Sequence, residues 1–276
     1  MTAKVEKAML YYKTYTSEVE NPWVVFIHGA GGSSSIWFKQ LRAFKERFNV
    51  LLVDLRGHGR SQEFLEKHLA EDYTFEDIAR DVIEVLDDAK VPKAHFVGIS
   101  LGTIVVRTIG ELAPERVGSM IMGGAVVRLN FRHKFFVAMG HAFKRVIPFI
   151  YLYKFFAWVI MPRRNHSESR LLFIREAKRL ARKEFLRWWK LTHEVNPLLR
   201  YFKEKELPIP TLYIMGGEDH MFLGPVQRLV KEHEHASLQV VEDCGHVVNV
   251  DRPESFNELA IRFLQGQSAQ PQLALG

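Results

Sequence analysis

The sequence predicts an α/β fold: a mostly parallel central sheet with helices on both faces, interrupted by an all-helical insertion. Three observations carry this. Short continuous apolar runs alternate with stretches of helical periodicity as far as Met122. Such runs suit strands buried on both faces, and their alternation with helices makes βαβ units. The alternation stops near Val126 and returns at Pro210, and between these points the charge balance inverts. From Arg128 to Lys205, nineteen Lys and Arg stand against five Asp and Glu, in a chain of net charge +6. A basic block in an acidic frame marks a separate module.

The elements follow in order. Ala8 to Tyr15 is an aromatic-rich candidate for a first strand. Trp23-Val24-Val25-Phe26-Ile27 follows Asn21-Pro22 and ends in His28-Gly29-Ala30-Gly31-Gly32, a strand running into a glycine-rich turn. Ile36 to Arg47 reads as a helix. Val50-Leu51-Leu52-Val53 is a second buried strand, running into the turn-rich Asp54 to Ser61. Phe75, Ile78, Val82, Val85 and Leu86 recur at helical spacing after Thr74, a candidate N-cap. Ala94 to Ile99 is a strand, and a helix then runs from the residue after Ser100 to Ala113, where Pro114 stops it. Val117 to Met122 is the next strand, ended by Gly123-Gly124. After the insertion come strands Thr211 to Met215 and Ser237 to Val241, and a closing helix from Pro253 to Leu264. Residues 266–276, GQSAQPQLALG, are expected to be disordered.

The insertion, residues 126–208, carries two amphipathic patterns. Phe135, Phe136, Met139, Phe143, Val146, Ile147 and Ile150 recur at steps of three and four, and Leu171 to Trp189 reads as a second helix rich in Arg and Lys. Val146 to Met161 is strongly apolar, but Pro148, Lys154 and a length short of about 20 residues argue against a membrane span.

Composition narrows the class. With 276 residues and 47% hydrophobic content the chain can bury a sizeable core. A single cysteine, Cys244, leaves no internal disulfide, and the N-terminal residues show no apolar run before a small-residue cleavage site; both point to the cytoplasm. The basic block raises nucleic acid as a partner, but no helix-turn-helix, zinc or RNA-binding signature accompanies it, so none is expected.

Chemistry enters at Gly98-Ile99-Ser100-Leu101-Gly102, which reads G-x-S-x-G. As a string it is weak, since a chain of this length meets it by chance about one time in ten. Its context is specific. Ser100 falls where a strand meets a helix, and glycines two residues before and two after permit the tight turn that presents a nucleophilic hydroxyl. A serine hydroxyl needs a base, and the base needs an orienting acid. Asp219 and His246 follow it in that order, each just after a strand, where loops at the C-terminal edge of a parallel sheet converge. Glu218 is the rival acid; His220 and His28 are rival bases. An oxyanion needs preorganised N–H donors. Leu101 N–H supplies one, and the His28–Gly32 turn the other, with Ala30 first choice and Gly31 second.

At this point the chain resembles the α/β-hydrolase superfamily, through HGAGGSSSIW from His28, DLRGHGRS from Asp54, GISLG from Gly98, GGEDH from Gly216 and CGHVVNVDRPESF from Cys244. The likeness spans nearly all of the chain outside the insertion. It implies an α/β-hydrolase core of residues 1–125 and 209–265, with 126–208 as a helical cap inserted between the sixth and seventh strands. Serine rather than aspartate at the nucleophile position argues against the haloalkane dehalogenase and epoxide hydrolase branches. The expectation is a serine carboxylic-ester hydrolase acting on an apolar small-molecule ester, with Ser100, His246 and Asp219 as its triad and no metal or cofactor. Three alternatives stand beside it: a carbon–carbon bond hydrolase of ring-cleavage diketones, a ligand receptor on a hydrolase scaffold, and a protein resting on anionic membrane through its basic, aromatic cap.

Overall fold

The computed structural model describes residues 10–17, 20–62, 73–128, 148–180 and 182–268. Within them, seven strands form one sheet: β1 (Tyr12–Tyr15), β2 (Trp23–Ile27), β3 (Asn49–Val53), β4 (Ala94–Ile99), β5 (Val117–Gly123), β6 (Thr211–Gly216) and β7 (Ala236–Val241). Their order is β1-β3-β2-β4-β5-β6-β7. Only β1 runs against its neighbour; the remaining pairs are parallel. The chain moves from β2 outward to β3, then crosses to β4 on the other side of β2. That reversal creates the crevice in which α/β proteins bind ligands.

Strand alternation assigns the two faces. In β2, Val24 and Phe26 pack with Trp37, Phe44 and Phe256, whereas Val25 and Ile27 face the opposite way with Ile78, Val82 and Ile109. Helices cover both sides: α1 (Phe38–Lys45), α2 (Phe75–Asp88) and α3 (Leu101–Leu112), then α8 (Leu223–Glu232), α9 (Val248–Asp251) and α10 (Pro253–Ser268) after the insertion. Thr74 caps α2 as expected. Its hydroxyl accepts from Asp77 N at 3.0 Å, and Asp77 returns the bond to Thr74 N, also at 3.0 Å.

Several boundaries differ from expectation. The helix expected from Ile36 begins as a 3-10 turn, Ser34–Trp37, in which Ser34 N donates to Asp54 Oδ1 at 2.7 Å and Ile36 N to Ser33 O at 3.1 Å, and α1 proper starts at Phe38. The first strand is confined to Tyr12–Tyr15; residues 8 and 9 lie outside the described part. The closing helix continues to Ser268, three residues into the expected tail, and 269–276 lie outside the described residues.

The insertion contributes α4 (Phe149–Ile160), α5 (Ser167–Ala177), α6 (Arg182–Lys190) and α7 (Thr192–Glu204), between the fifth and sixth described strands rather than the sixth and seventh. The helix expected over Leu171–Trp189 is two. Phe173, Ala177 and Leu180 keep steps of four and three, but the next large apolar residue, Phe185, comes five later, and one helix cannot bring both groups to one face. A turn instead lets Ala177, Leu180, Phe185 and Trp189 close on Leu152 and Tyr153. The pattern expected from Phe135 to Ile147, with Phe136, Met139, Phe143 and Val146, lies outside the described residues. Among those described, no helix is long and apolar enough to cross a membrane.

Candidate active site

Ser100 separates β4 from α3 and holds φ 54° and ψ −124°, a left-handed conformation that a serine keeps only under constraint from its surroundings. The constraint is backbone proximity. A Cβ on Gly98 would lie 2.9 Å from the Gly102 carbonyl, which is the strand-to-helix approach the motif predicts. Gly102 itself serves a different contact. Its Cβ would come 2.5 Å from the carbonyl oxygens of Ile27 and His28, so this glycine admits the end of β2 rather than Gly98. Ser100 N donates to Gly123 O at 2.9 Å, and Thr103 N and Oγ1 both donate to Ser100 O.

The three residues expected as a triad converge. His246 Nε2 lies 2.8 Å from Ser100 Oγ, and His246 Nδ1 lies 2.7 Å from Asp219 Oδ2. The other carboxylate oxygen of Asp219 accepts from Phe222 N at 3.1 Å and Met221 N at 3.3 Å, which fixes its rotamer. Asp219 and His246 are buried; Ser100 is partly open. An imidazole so placed can take the hydroxyl proton through Nε2 while the carboxylate holds its Nδ1–H.

The rival groups are engaged elsewhere. Glu218 faces away from His246: it accepts from Asn165 Nδ2 and His166 Nε2, each at 2.8 Å, and pairs with Arg163. The Asn165 bond first, then His166 and Arg163, hold its carboxyl below the usual carboxylate range. His220 is exposed. His28 is buried, accepts from Leu55 N through Nε2 at 3.0 Å and donates from Nδ1 to Gly29 O at 2.8 Å; burial pushes its pKa down.

The β2–β4 pairing, with Ile27 opposite Gly98, sets the His28–Gly32 turn beside the elbow. Of the two expected donors there, Gly31 is occupied: its N–H donates to His58 Nε2 at 3.0 Å. His58 Nδ1 sits 2.8 Å from Arg56 O and must donate to it, so Nε2 is an acceptor. Burial, with His28 nearby, pushes the His58 pKa down to about 3, which keeps the ring neutral. Ala30 N–H and Leu101 N–H remain as the candidate oxyanion pair.

Two small cavities lie at the site, one lined by two of the triad residues and one lined by the residue after Ser100. One, of about 120 Å³, is lined by Ser100 and His246 with Ile160, Met161, Leu172 and Val247. The other, of about 170 Å³, is lined by Ala30 and Leu101 with aromatic rings of α4, α5 and α6. A larger cleft, about 460 Å³, has Lys13, Asp54 and Arg60 among its walls. It lies beyond Gly31 and Gly32, and neither Ser100 nor His246 lines it, so it is not where the chemistry sits.

The family model for the alpha/beta hydrolase family matches residues 24–259. The chain belongs to the alpha/beta hydrolase family. Among its relatives is RutD of Caulobacter segnis, whose given name points to carbamate hydrolysis: 29% identical over 255 residues, covering 88% of this chain and 91% of the relative. The 3-oxoadipate enol-lactonase 2 of Acinetobacter baylyi is 24% identical over 292 residues, covering 93% of each chain. The crystal structure of the enol-lactonase from Burkholderia xenovorans LB400 superposes with a TM-score of 0.76 at 20% identity, over 93% of this chain and 96% of that one, a likeness of fold.

Around the candidate site of this alpha/beta hydrolase, sequence reasoning named His58 only within a motif and Trp188 only among the aromatics of the cap, and did not single out His166. His58 accepts the Gly31 N–H and so holds the glycine-rich turn after β2. Trp188 packs edge-on against His58, with centroids 4.7 Å apart, and its Nε1 donates to Arg56 O at 3.0 Å. His166 holds Glu218 off Asp219. The string Asp54 to Ser61 marked His58 as part of a motif, but nothing local says that its ring turns back on Gly31.

Proposed function

We propose that this chain is a serine hydrolase that cleaves carboxylic esters through an acyl-enzyme, with residues 126–208 serving as a cap over the site. The observation that carries the reading is the unbroken line Ser100 Oγ–His246 Nε2, His246 Nδ1–Asp219 Oδ2. Ser100 Oγ attacks the ester carbonyl as His246 takes its proton. The oxyanion that forms is held by Ala30 and Leu101 N–H. His246 then returns the proton to the leaving alcohol oxygen, and the C–O bond breaks. Water, deprotonated by the same imidazole, frees the acid and restores Ser100. A lactone is a cyclic ester, so the names of the lactonase relatives are compatible with this chemistry. A p-nitrophenyl ester panel tests it, together with stoichiometric labelling of Ser100 by a fluorophosphonate. Turnover of a vinylogous diketone in preference to every ester would favour the carbon–carbon hydrolase; ligand binding without turnover would favour the receptor.

One observation favours a second reading, peripheral contact with anionic membrane. Tyr151, Phe155 and Trp158 stand at i, i+4 and i+7 of α4 and are exposed at 58%, 39% and 55%. Lys154, itself exposed, lies over Tyr151. An exposed aromatic stripe with a cation beside it suits a headgroup interface. Sedimentation with phosphatidylserine vesicles should show binding at low salt that high salt removes; no binding at low salt ends this reading.

A further inference from the structure

Two neighbouring cavities flank the nucleophile turn and differ in chemistry, and the position of His246 distinguishes them. They share the walls Ala30 and Phe173; Ser100 lines the first and Leu101, the next residue, lines the second. The tetrahedral carbon has four substituents: Ser100 Oγ, the oxyanion, the acyl carbon and the alcohol oxygen. The oxyanion points to the Ala30 and Leu101 N–H groups. The alcohol oxygen must lie within reach of His246 Nε2, which gives it a proton as it leaves. Only the cavity of about 120 Å³ has His246 in its wall. The acyl carbon then has one direction left, past Leu101 into the cavity of about 170 Å³.

That second cavity is a box of rings. Tyr153, Phe156, Phe173, Phe185, Trp188 and Trp189 line it. The rings brace one another: Tyr153 on Phe173 with centroids 5.2 Å apart, Tyr153 on Phe185 at 5.5 Å, Phe185 on Trp189 at 5.4 Å, and Phe156 on Trp189 at 5.7 Å, all tilted. Such walls present faces and edges at the angles that a further ring accepts. A dry apolar cavity of about 150 Å³ is enough to admit benzene. The described lining of the box holds no charged side chain, whereas the alcohol side is mainly aliphatic, through Ile160, Met161, Leu172 and Val247.

Resting on the ester-hydrolase reading above, we infer that the ring-lined cavity receives the acyl group and the cavity beside His246 the alcohol. The substrate class is then an ester of an aryl-bearing carboxylic acid, such as an arylalkanoic acid, with a short alkyl alcohol. The test compares esters with the ring on opposite sides of the carbonyl. Methyl phenylacetate carries it in the acyl group; benzyl acetate carries it in the alcohol. The kcat/KM ratio of the first to the second should be about tenfold or more, the size of one or two added ring contacts. In Phe185→Leu and Phe156→Leu, which keep an apolar side chain of similar reach, that ratio should fall several-fold, with folding checked by near-ultraviolet circular dichroism. A second measurement isolates the acyl side. After the burst from a p-nitrophenyl ester the alcohol is gone, so the deacylation rate of the phenylacetyl enzyme should change in these variants and stay unchanged in Leu171→Met, an exposed position on α5 that lines neither cavity. A ratio below one, or a deacylation rate unchanged in both Phe185→Leu and Phe156→Leu, overturns the assignment while the ester-hydrolase reading stands. If no ester gives a burst and fluorophosphonate leaves Ser100 unlabelled, the reading beneath it falls, and this assignment with it.

Discussion

The Gly31 N–H donates to His58 Nε2 across 3.0 Å, and that bond decides which amide of the glycine-rich turn is left for an oxyanion. With Gly31 turned toward the imidazole, Ala30 is the donor that can partner Leu101. His58 touches no substrate on this reading. It is a positioning residue, held in turn by Arg56 O and by the edge of Trp188.

His58→Ala should therefore lower kcat by about tenfold to a hundredfold, short of the loss from removing an oxyanion donor outright. KM should change little, because ground-state binding does not use the oxyanion hole. His58→Asn, which can offer an acceptor to Gly31, should recover part of kcat. A rise in KM at constant kcat in His58→Ala would show that the ring supports the pocket and not the oxyanion turn.

Ser100→Ala should abolish turnover and fluorophosphonate labelling while shifting the unfolding free energy by no more than about 0.5 kcal/mol, since the hydroxyl is partly open and buries little. Equal labelling of the alanine variant would place the nucleophile elsewhere.

The two adjacent acids should separate sharply. Asp219→Asn breaks the bond that orients His246 and should cost orders of magnitude in kcat, as loss of a triad acid does. Glu218→Gln leaves that bond untouched and should cost under about tenfold, expressed through the His166 contact. A larger loss from Glu218→Gln would reverse the assignment of the acid.

Acyl length should matter up to the depth of the ring-lined cavity. Along p-nitrophenyl esters from acetate to hexanoate kcat/KM should rise, each buried methylene adding about 0.8 kcal/mol, and then level off as about 170 Å³ fills. A profile flat from acetate upward is incompatible with an apolar acyl compartment.

Buried neutral histidines set the acid limit of stability. Burial pushes His95 down to about 4 and His58 to about 3, from an ordinary value of 6.5. Between those values and 6.5 the unfolded chain binds protons that the folded chain does not, so stability falls as pH drops below 6.5. Above 6.5 both states are neutral and these rings add no slope. His95→Gln, which keeps a polar partner for Ser119 Oγ, should lose less stability between pH 7 and pH 5 than the parent in urea titrations. An identical loss in both would remove His95 from the account.

The sequence by itself determined the sheet, the elbow and the residues that could form a triad. Continuous apolar runs, helical spacing and glycine are local signals: each is set by the chain's own backbone sterics and by the faces its neighbours must bury. The motif gave Gly98 and Gly102 one shared role, and only the structure separated them: Gly98 meets the helix, whereas Gly102 admits the end of β2. What only the tertiary structure decided were choices among near neighbours. Asp219 and Glu218 adjoin in sequence, and Arg163, Asn165 and His166, brought from the insertion, draw Glu218 aside. Ala30 and Gly31 adjoin as well, and a histidine 27 positions away takes the Gly31 N–H. The ring-lined cavity likewise depends on packing between segments that no local pattern relates. Hydrogen bonds and ring contacts are directional and short, so which of two adjacent groups makes them depends on where distant segments come to rest.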